Sequence, residues 1–279
     1  MDISKIKRGL TGTFAALALA FGSTAAIGQE ASQALSSESV IETIKQRGVI
    51  KVGLSTFAPW SMRDKQGELI GFEIDVANEL AKDMGVEVEY FPTQWDGIIP
   101  ALLSGKFDVI ISSMTRTPSR NLTINFTEPY AYSGLTIMAN KQMTEGFIFE
   151  DYNSSEVTFA ARRASTAASV ISTLFPEAQL LQFDENTAST QEVLNGRAHA
   201  TMHSGPQPHT DSRTYPDTLY VPFDKVWLAQ GESFGVRKGD PDALAYFNTW
   251  IGIKSVTGWM KERNDFWMKT DDWKDQVSE

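Results

Sequence analysis

The sequence predicts an α/β fold made of two units, each with a doubly wound and mostly parallel sheet. Short apolar runs alternate with helical segments along the chain, beginning with Val49–Leu54, and this alternation is typical of parallel strands joined by helices. The alternation starts again beyond residue 134, with an apolar run over residues 157–161. Two units in one chain require crossings between them, which we expect near residues 130–134 and 230–234.

The first unit is predicted to extend over residues 40–130. A helix over Val40–Arg47 is expected to end at Gly48, because glycine readily adopts the left-handed conformation that closes a helix. Pro118 follows Thr117, which predicts an N-cap and a first helical residue. The other expected elements, in order, are strands at 49–54, 86–90 and 109–111, a helix ending at residue 84 and a helix opened by Trp95-Asp96-Gly97.

The second unit is predicted over residues 135–229, after which the chain is expected to return to the first unit over residues 235–279. The pair Asp240-Pro241 predicts the start of a long helix. The expected elements of the second unit are extended segments at 157–161, 180–183, 198–202 and 219–222, with helices from residue 165 and over residues 190–194. The carboxyl-terminal tryptophans are expected to pack in the core rather than to bind ligand: Trp259, Trp267 and Trp273.

The amino terminus is typical of a secretory signal peptide, which we expect to span residues 1–28. Lys5, Lys7 and Arg8 make the start positive, and residues 9–21 form an apolar stretch followed by small residues. This stretch is too short to span a bilayer as a stable helix. The mature chain is therefore expected to be exported and soluble.

The composition excludes several kinds of site. The chain of 279 residues contains no cysteine, which excludes disulfides, thiolate catalysis, thiolate metal sites and a lipid-modified cysteine. An exported protein that is not lipid-anchored fits the periplasm. The net charge is −10 at pH 7, and so acidic a chain is a poor partner for nucleic acid or for an anionic membrane. A local arginine could still bind a small anion.

Common enzyme motifs are absent. The sequence lacks G-x-S-x-G, the phosphate-binding G-x-x-x-x-G-K-[ST] and a G-x-G-x-x-G after a strand. His199 and His203 are four residues apart, but on a strand this spacing covers about 13 Å, so we expect no metal site. Glu73 and Asp75 could serve as acid and base, although we expect them to be solvated or to cap a helix.

The residues that follow the predicted strands are of ligand-binding types. In an open α/β sheet, ligands bind at the carboxyl ends of the strands. Arg120 lies in the first turn of a helix, where it is either a solvated surface residue or a bidentate partner for a carboxylate. Aromatic, hydroxyl and arginine side chains without a nucleophile favour binding over catalysis. The candidates are Phe57, Trp95, Ser112, Ser113, Thr115, Arg120, Arg162, Ser165 and Thr166.

Several motifs occur in an order that is known from one protein family. They are Gly71-Phe72-Glu73-Ile74-Asp75, Trp95-Asp96-Gly97-Ile98-Ile99-Pro100, Thr115-Arg116-Thr117-Pro118-Ser119-Arg120, Phe126-Thr127-Glu128-Pro129-Tyr130 and Val236-Arg237-Lys238-Gly239-Asp240. In these motifs the chain resembles the periplasmic solute-binding proteins of the polar amino-acid ABC-transporter family, solute-binding protein family 3. The resemblance extends over nearly the whole mature chain and is weakest over residues 141–230.

The resemblance implies a two-lobed periplasmic-binding-protein fold of type II, in which two hinge crossings allow closure over a small ligand. It implies that Arg120 binds the carboxylate of the ligand with help from Ser113 and Thr115. The aromatic rings of Phe57 and Trp95 would enclose the ligand.

In the second lobe, the resemblance implies that backbone N–H groups of the loop Ala164-Ser165-Thr166 contact the ligand and that Arg162 reads its side chain. No cofactor is expected. The expected partner is an ABC permease in the inner membrane, and we expect the protein to be a monomer.

Two positions depart from the family pattern. The acidic residue that binds an α-ammonium group is replaced by Ser204, which follows His203, and a serine cannot supply the charge that a buried ammonium needs. Ser55 stands where an aspartate is common. We include these three residues among the ligand-binding candidates. The ligand is then expected to be a carboxylate without a free α-amine, a diacid, or a derivative whose nitrogen is neutral.

Two other functions use the same scaffold. A cyclohexadienyl dehydratase acting on prephenate or arogenate needs a general acid in the cleft, but residues 197–207 contain neither Asp nor Glu. A sensor module would need a transmembrane or signalling domain, which the sequence does not show; a receptor that also serves a separate sensor stays open as an alternative. We therefore expect a transport receptor that is not an enzyme.

Overall fold

The computed structural model describes residues 39–277. The expected signal peptide over residues 1–28 lies outside this range. None of the described helices combines the length and the apolar character that a membrane crossing requires.

The first part of the chain forms one sheet with its flanking helices. The side chain of Ser39 caps the first helix by accepting from the N–H of Ile41, and Gly48 ends this helix with a left-handed φ of 72°. The elements are α1 (Val40–Arg47), β1 (Val49–Leu54), β2 (Met62–Arg63), β3 (Leu69–Ile70), α2 (Phe72–Met84), β4 (Glu87–Pro92), a 3₁₀ turn (Trp95–Gly97), α3 (Ile98–Leu103), β5 (Val109–Ile110), α4 (Pro118–Asn121) and β6 (Asn125–Phe126).

The second part of the chain forms a second sheet and its helices. The side chain of Asn140 caps a short helix at the end of the long strand that enters this sheet. The elements are β7 (Ala131–Asn140), α5 (Lys141–Thr144), a 3₁₀ turn (Phe149–Tyr152), β8 (Thr158–Arg162), α6 (Thr166–Leu174), β9 (Gln179–Phe183), α7 (Asn186–Leu194), β10 (Ala200–Ser204), α8 (Gln207–Thr214), β11 (Leu219–Tyr220) and β12 (Trp227–Glu232).

The last part of the chain returns to the first sheet. Asp240 caps a long helix by accepting from the N–H of Ala243, with Pro241 as the first helical residue. The elements are β13 (Gly235–Val236), α9 (Pro241–Val256), α10 (Trp259–Lys269) and a 3₁₀ turn (Lys274–Gln276).

Both sheets have the same strand pattern. The first has the order β4-β1-β5-β13-β6 and the second contains β9-β8-β10-β7-β11, with β12 paired to β7. β1 lies parallel to β4 and β5, and β8 lies parallel to β9 and β10. Each sheet also contains one antiparallel strand from the segment of chain that arrives from the other sheet. This strand is β13 in the first sheet and β7 in the second.

The two crossings lie side by side. β7 and β12 pair antiparallel, with Ala131 opposite Glu232 and Tyr132 opposite Gly231. These are the places where the sequence predicts the crossings. A two-stranded ribbon therefore joins the two sheets.

Each sheet packs around its own core. The largest core contains β1 residues such as Val52 together with Phe247 of α9 and Trp267 of α10, so the returning chain completes the first core. The second core contains Phe159, Phe175 and residues of β10. Trp267 and Trp273 are buried, which confirms packing roles for these tryptophans.

Several element boundaries differ from the sequence prediction, and two of them have a clear physical reason. α7 begins at Asn186, four residues before the predicted start. The first turn of this helix is polar and has no apolar periodicity, so the sequence pattern did not indicate it. β10 ends at Ser204, beyond the predicted residue 202, because His203 and Ser204 pair with Thr136 and Leu135 of β7. The antiparallel partner is distant in sequence and extends the strand.

One close contact in the first sheet gives a stability test. A Cβ added at Gly53 of β1 would lie 2.3 Å from ring atoms of Phe107, which is fully buried. We expect Gly53→Ala to lower the free energy of unfolding by about 1–3 kcal/mol, because overpacking forces rigid core atoms apart. Urea unfolding measures this change.

Two further variants control the test. Combining Gly53→Ala with Phe107→Leu should restore part of the stability. Gly252→Ala in α9 meets no heavy atom within 4 Å and should stabilise by up to about 1 kcal/mol. If Gly53→Ala is as stable as the unsubstituted protein, the contact with Phe107 is wrong.

Candidate functional site

All twelve residues predicted to bind ligand line one cavity between the two sheets. Its volume is about 40 Å³, enough for a few water molecules at roughly 10–15 Å³ each. The first sheet and its loops contribute Ser55, Phe57, Trp95, Ser112, Ser113, Thr115 and Arg120, and the second contributes Arg162, Ser165, Thr166, His203 and Ser204.

The topology explains why these residues meet. Ser55 follows β1, Trp95 follows β4 and Ser112 follows β5, and these three strands are parallel. Arg162 ends β8, and Ser204 ends β10, which is parallel to it. The carboxyl edges of both parallel sets therefore face one cavity, as expected for open α/β sheets.

The loop after β5 is fixed by hydrogen bonds. The hydroxyl of Ser112 accepts from the N–H of Ser55 at 2.8 Å, which joins the ends of two strands. Ser113 adopts a left-handed backbone conformation with a φ of 47°, which is uncommon for a residue other than glycine. Its N–H donates to Glu73 at 2.8 Å and to the hydroxyl of Tyr130 at 3.2 Å.

Glu73 is the residue that holds this turn. Its carboxyl group also accepts from the Tyr130 hydroxyl at 2.7 Å, and the residue is 1% exposed. Burial raises the pKa of Glu73 to about 8, and the nearby charge of Glu232 adds to the rise. Burial likewise raises the pKa of Glu232, in the crossing strand β12, to about 7.

The expectation that Glu73 and Asp75 are solvated or cap a helix was wrong. Glu73 is buried behind the binding loop, and Asp75 accepts hydrogen bonds from Arg263 and from the indole of Trp267 at 2.7 Å each. Both acidic groups have partners far away in the sequence, which the local pattern does not reveal. Neither lines the cavity.

Arg120 is positioned by its own loop. The hydroxyl of Thr117 accepts from the N–H of Arg120 at 3.2 Å, as predicted for an N-cap. The guanidinium donates to the carbonyl oxygen of Thr115 at 2.8 Å and, across the cavity, to that of Ala164 at 3.2 Å. Burial lowers its pKa to about 10, so the group stays charged at neutral pH.

Arg162 reaches into the cavity from the second sheet. Its guanidinium carbon lies 4.4 Å from the centre of the Trp95 ring and 5.8 Å from that of Phe57. Nη1 donates to the hydroxyl of Ser55 at 3.3 Å, whereas Nε has no hydrogen-bond partner among the described residues. Burial lowers the pKa of Arg162 to about 10, and the charge of Arg120 contributes to the lowering.

The loop after β8 presents a backbone carbonyl group to the first sheet. Ala164 has a left-handed φ of 56°, and its carbonyl oxygen accepts from the indole N–H of Trp95 at 3.1 Å. The hydroxyl of Ser165 caps α6 by accepting from the N–H of Ala168 at 3.1 Å. The backbone N–H of Ser165 donates to the carbonyl oxygen of Arg162 at 3.3 Å, so in this conformation that N–H already has a partner within the loop.

His203 is a neutral member of the site. It is 2% exposed, and its Nε2 lies 3.2 Å from the hydroxyl of Thr190. Burial and the charge of Arg162 lower its pKa to about 4. Among the described residues there is no group of three His, Asp or Glu side chains that could hold a metal ion.

Five lining residues were missed by the sequence analysis: Trp60, Leu135, Ala167, Asn186 and Met202. Asn186 lies three positions after the end of β9 and opens α7, so the expectation that ligand-binding residues follow the strands would have found it. Leu135 lies opposite Ser204 in the β7–β10 pair, which only the topology reveals. Trp60 is 1% exposed, and its indole N–H has no partner among residues 39–277.

These features define a two-lobed binding protein with its cavity between the lobes. The chain belongs to the bacterial extracellular solute-binding proteins, family 3, whose family model matches residues 50–270. The periplasmic-binding-protein fold predicted from the sequence is confirmed, because solved structures of amino-acid-binding proteins have the same fold.

Three similar proteins illustrate the match. The L-cystine-binding protein TcyJ of Escherichia coli (strain K12) is 27% identical over 242 residues, covering 86% of this chain and 90% of that protein. An ancestral amino acid-binding protein, described as a precursor of cyclohexadienyl dehydratase, is 35% identical, with a TM-score of 0.77 and coverage of 83% and 100%. A putative ABC-transporter binding component from Wolinella succinogenes, solved with lysine, is 33% identical, with a TM-score of 0.76 and coverage of 82% and 99%.

The buried carboxyl group of Glu73 gives a pH test. The unfolded chain loses this proton near pH 4.5 and the folded protein near pH 8. Between these values the folded state binds the extra proton, so its free energy of unfolding falls as pH rises, by up to about 1.4 kcal/mol per pH unit. Glu73→Gln removes this contribution, and its stability should fall less steeply between pH 5 and pH 8 in urea unfolding.

An exposed glutamate provides the control. Glu68→Gln, on the surface turn before β3, should keep the steep dependence of the unsubstituted protein. Parallel curves for Glu73→Gln and the unsubstituted protein would contradict a protonated Glu73 in the folded state.

Proposed function

We propose that this protein is the extracytoplasmic substrate-binding component of an ABC importer and that it binds a small carboxylate-bearing solute, an amino acid or a related organic acid. The observation that carries the proposal is Arg120. Its charged guanidinium lines the cavity between the lobes and has no acidic partner within residues 39–277. A planar guanidinium beside hydroxyl groups suits bidentate binding of a carboxylate.

The relatives support the chemical class of the ligand. TcyJ is named for binding L-cystine, and the Wolinella succinogenes protein was solved with lysine. Both ligands are amino acids and therefore carry an α-carboxylate. Arg120 is the residue of this chain that we assign to that group.

Binding proceeds by hinge closure between two lobes, residues 40–130 with 235–279 and residues 135–229. The β7–β12 ribbon is the hinge. A cavity of about 40 Å³ is far below the roughly 300 Å³ of a small ligand pocket, so the lobes must open to admit a solute. In the conformation described, hydrogen bonds from Trp95 and Arg120 to Ala164 join the lobes directly.

The location and partners follow from the same assignment. The protein acts in the periplasm as a monomer without a lipid anchor, and it delivers the solute to a permease in the inner membrane. An acidic chain of this kind does not bind nucleic acid.

A dehydratase is the second candidate, because an ancestral relative is described as a precursor of cyclohexadienyl dehydratase. Such a reaction needs a proton donor at the substrate. Among the described residues, no Asp or Glu lines the cavity, and Glu73 lies behind the backbone of Ser113. Incubation with prephenate and chromatographic detection of its product tests this alternative, and turnover would contradict the transport proposal.

The role of Arg120 is tested by thermal shift. A ligand with a Kd near 1 μM should stabilise the protein by about 2.7 kcal/mol at 100 μM. We expect Arg120→Ala to abolish this stabilisation, because the carboxylate loses its charged partner.

Arg116→Ala is the matched control. Arg116 lies four residues away, is exposed and pairs with Glu128 on the surface, so this variant should keep the ligand-induced shift. An unchanged shift for Arg120→Ala would exclude Arg120 as the carboxylate partner.

Trp95 should report binding by fluorescence. Its indole lies against both cavity arginines, so ligand that pairs with them changes the electrostatic environment of the ring. Trp95→Leu should lose most of the signal, whereas Trp259→Phe, which alters a ring in the carboxyl-terminal core, should keep it. A full signal in Trp95→Leu would place the reporting tryptophan elsewhere.

A further inference from the structure

Two arginines face the cavity without an acidic partner. Arg163, the exposed neighbour of Arg162, pairs with Asp184 at 2.7 Å. Neither Arg120 nor Arg162 forms an ion pair with any residue between 39 and 277. Of these three arginines, Arg163 is paired and lies on the surface, whereas Arg120 and Arg162 are unpaired and line the cavity.

Arg162 is the less compensated of the two charges, because its guanidinium makes fewer hydrogen bonds than that of Arg120 within the described residues. It is 7% exposed, and within residues 39–277 its side chain makes one hydrogen bond, to the neutral hydroxyl of Ser55. Its Nε is buried and has no acceptor in that part of the chain. Taking a cation out of water is costly unless an anion and hydrogen bonds compensate it. The described protein supplies neither in full, so Arg162 lacks an anionic partner that a ligand could supply once the lobes open.

The other groups around the cavity do not offset these charges. The neutral imidazole of His203 contributes no negative charge, and the lining residues of the described chain include no carboxylate. Glu185 acts on Arg162 only at a distance, without a hydrogen bond. Two positive charges therefore remain for a ligand to neutralise.

The aromatic rings set the size of the ligand. Arg120 and Arg162 lie with their guanidinium carbons 5.2 Å and 4.4 Å from the centre of the same Trp95 ring, so a short molecule can contact both. Arg162 also lies against Phe57, with its guanidinium carbon 5.8 Å from the centre of that ring. A bulky or cationic ligand side chain would have to displace this guanidinium.

We infer that the solute is a short dicarboxylate without an ammonium group, held with one carboxylate on Arg120 and the other on Arg162. This inference rests on the proposed receptor function and narrows its substrate class. Each carboxylate accepts from a planar guanidinium, and the ligand supplies the charge that the cavity lacks. An ammonium group would meet no carboxylate among the described residues that line the cavity. The lysine bound by the Wolinella succinogenes relative would add a further cation here.

The first experiment compares ligands by isothermal titration calorimetry on the purified protein. The probes are malonate, succinate and glutarate, each with its half-amide, in which one carboxylate becomes an amide of nearly equal shape. L-Aspartate tests an added ammonium, and L-lysine tests a cationic side chain. We expect the best diacid to bind at least on the order of 30-fold more tightly than its half-amide, as for loss of one member of a buried charge pair.

The second experiment assigns this difference to Arg162. Arg162→Gln should weaken the best diacid on the order of 30-fold and leave its half-amide nearly unchanged. Arg163→Gln, the adjacent surface substitution, should affect neither ligand. Arg162→Met should be at least as heat-stable as the unsubstituted protein without ligand, because it removes a buried charge that has no anion.

The outcomes separate this inference from the proposed function. Tight binding of L-lysine or of a monocarboxylate that Arg120→Ala still abolishes would contradict the dicarboxylate inference. It would leave the proposed receptor function intact. Equal loss of diacid and half-amide in Arg162→Gln would also contradict the dicarboxylate inference. If neither the diacids nor the amino acids bind at all, both proposals fail.

Discussion

The antiparallel pairing of β7 with β12 is the constraint on which the site depends. This ribbon contains both crossings of the chain, with Ala131 opposite Glu232, and each crossing leads to a strand inserted antiparallel in its sheet. The parallel strands then turn their carboxyl ends toward each other across a single cavity. A cleft that could otherwise open anywhere along the molecule is thereby fixed between β1, β4 and β5 on one side and β8 and β10 on the other.

The charge of the cavity is opposite in sign to the net charge of the chain. The chain as a whole carries a net charge of −10, yet two arginines and no carboxylate of the described residues line the cavity. The buried acidic side chains lie outside the cavity lining. Glu73 accepts a hydrogen bond from the N–H of Ser113, and Glu232 lies in the β7–β12 ribbon. Burial raises the pKa of Glu73 to about 8 and that of Glu232 to about 7, which reduces the negative charge that these two groups set against the positive field of the cavity at neutral pH.

Much of the fold and most of the cavity could be predicted from the sequence. Arg120 follows a Thr-Pro helix cap in a loop after an apolar strand. This local pattern is enough to predict that Arg120 lies near the carboxyl end of that strand. Asn186 follows the same rule and was missed because the first turn of α7 is polar. Trp60 and Leu135 could not be found in this way, since neither opens a helix after a strand. The acidic pair at the start of α2 was misjudged because its partners, such as Tyr130 and Arg263, are distant in sequence.

The sequence by itself determined most of the element order, the approximate places of the crossings and the residue types at each strand end, because these depend on local periodicity, capping and turn chemistry. Only the tertiary structure decided what those residues contact. The guanidinium of Arg162 reaches the hydroxyl of Ser55, 107 positions away, and the ring of Trp95. The raised pKa of Glu73 likewise follows from burial by distant segments. Local sequence cannot fix such contacts, because they arise only when two separately folded sheets are brought face to face.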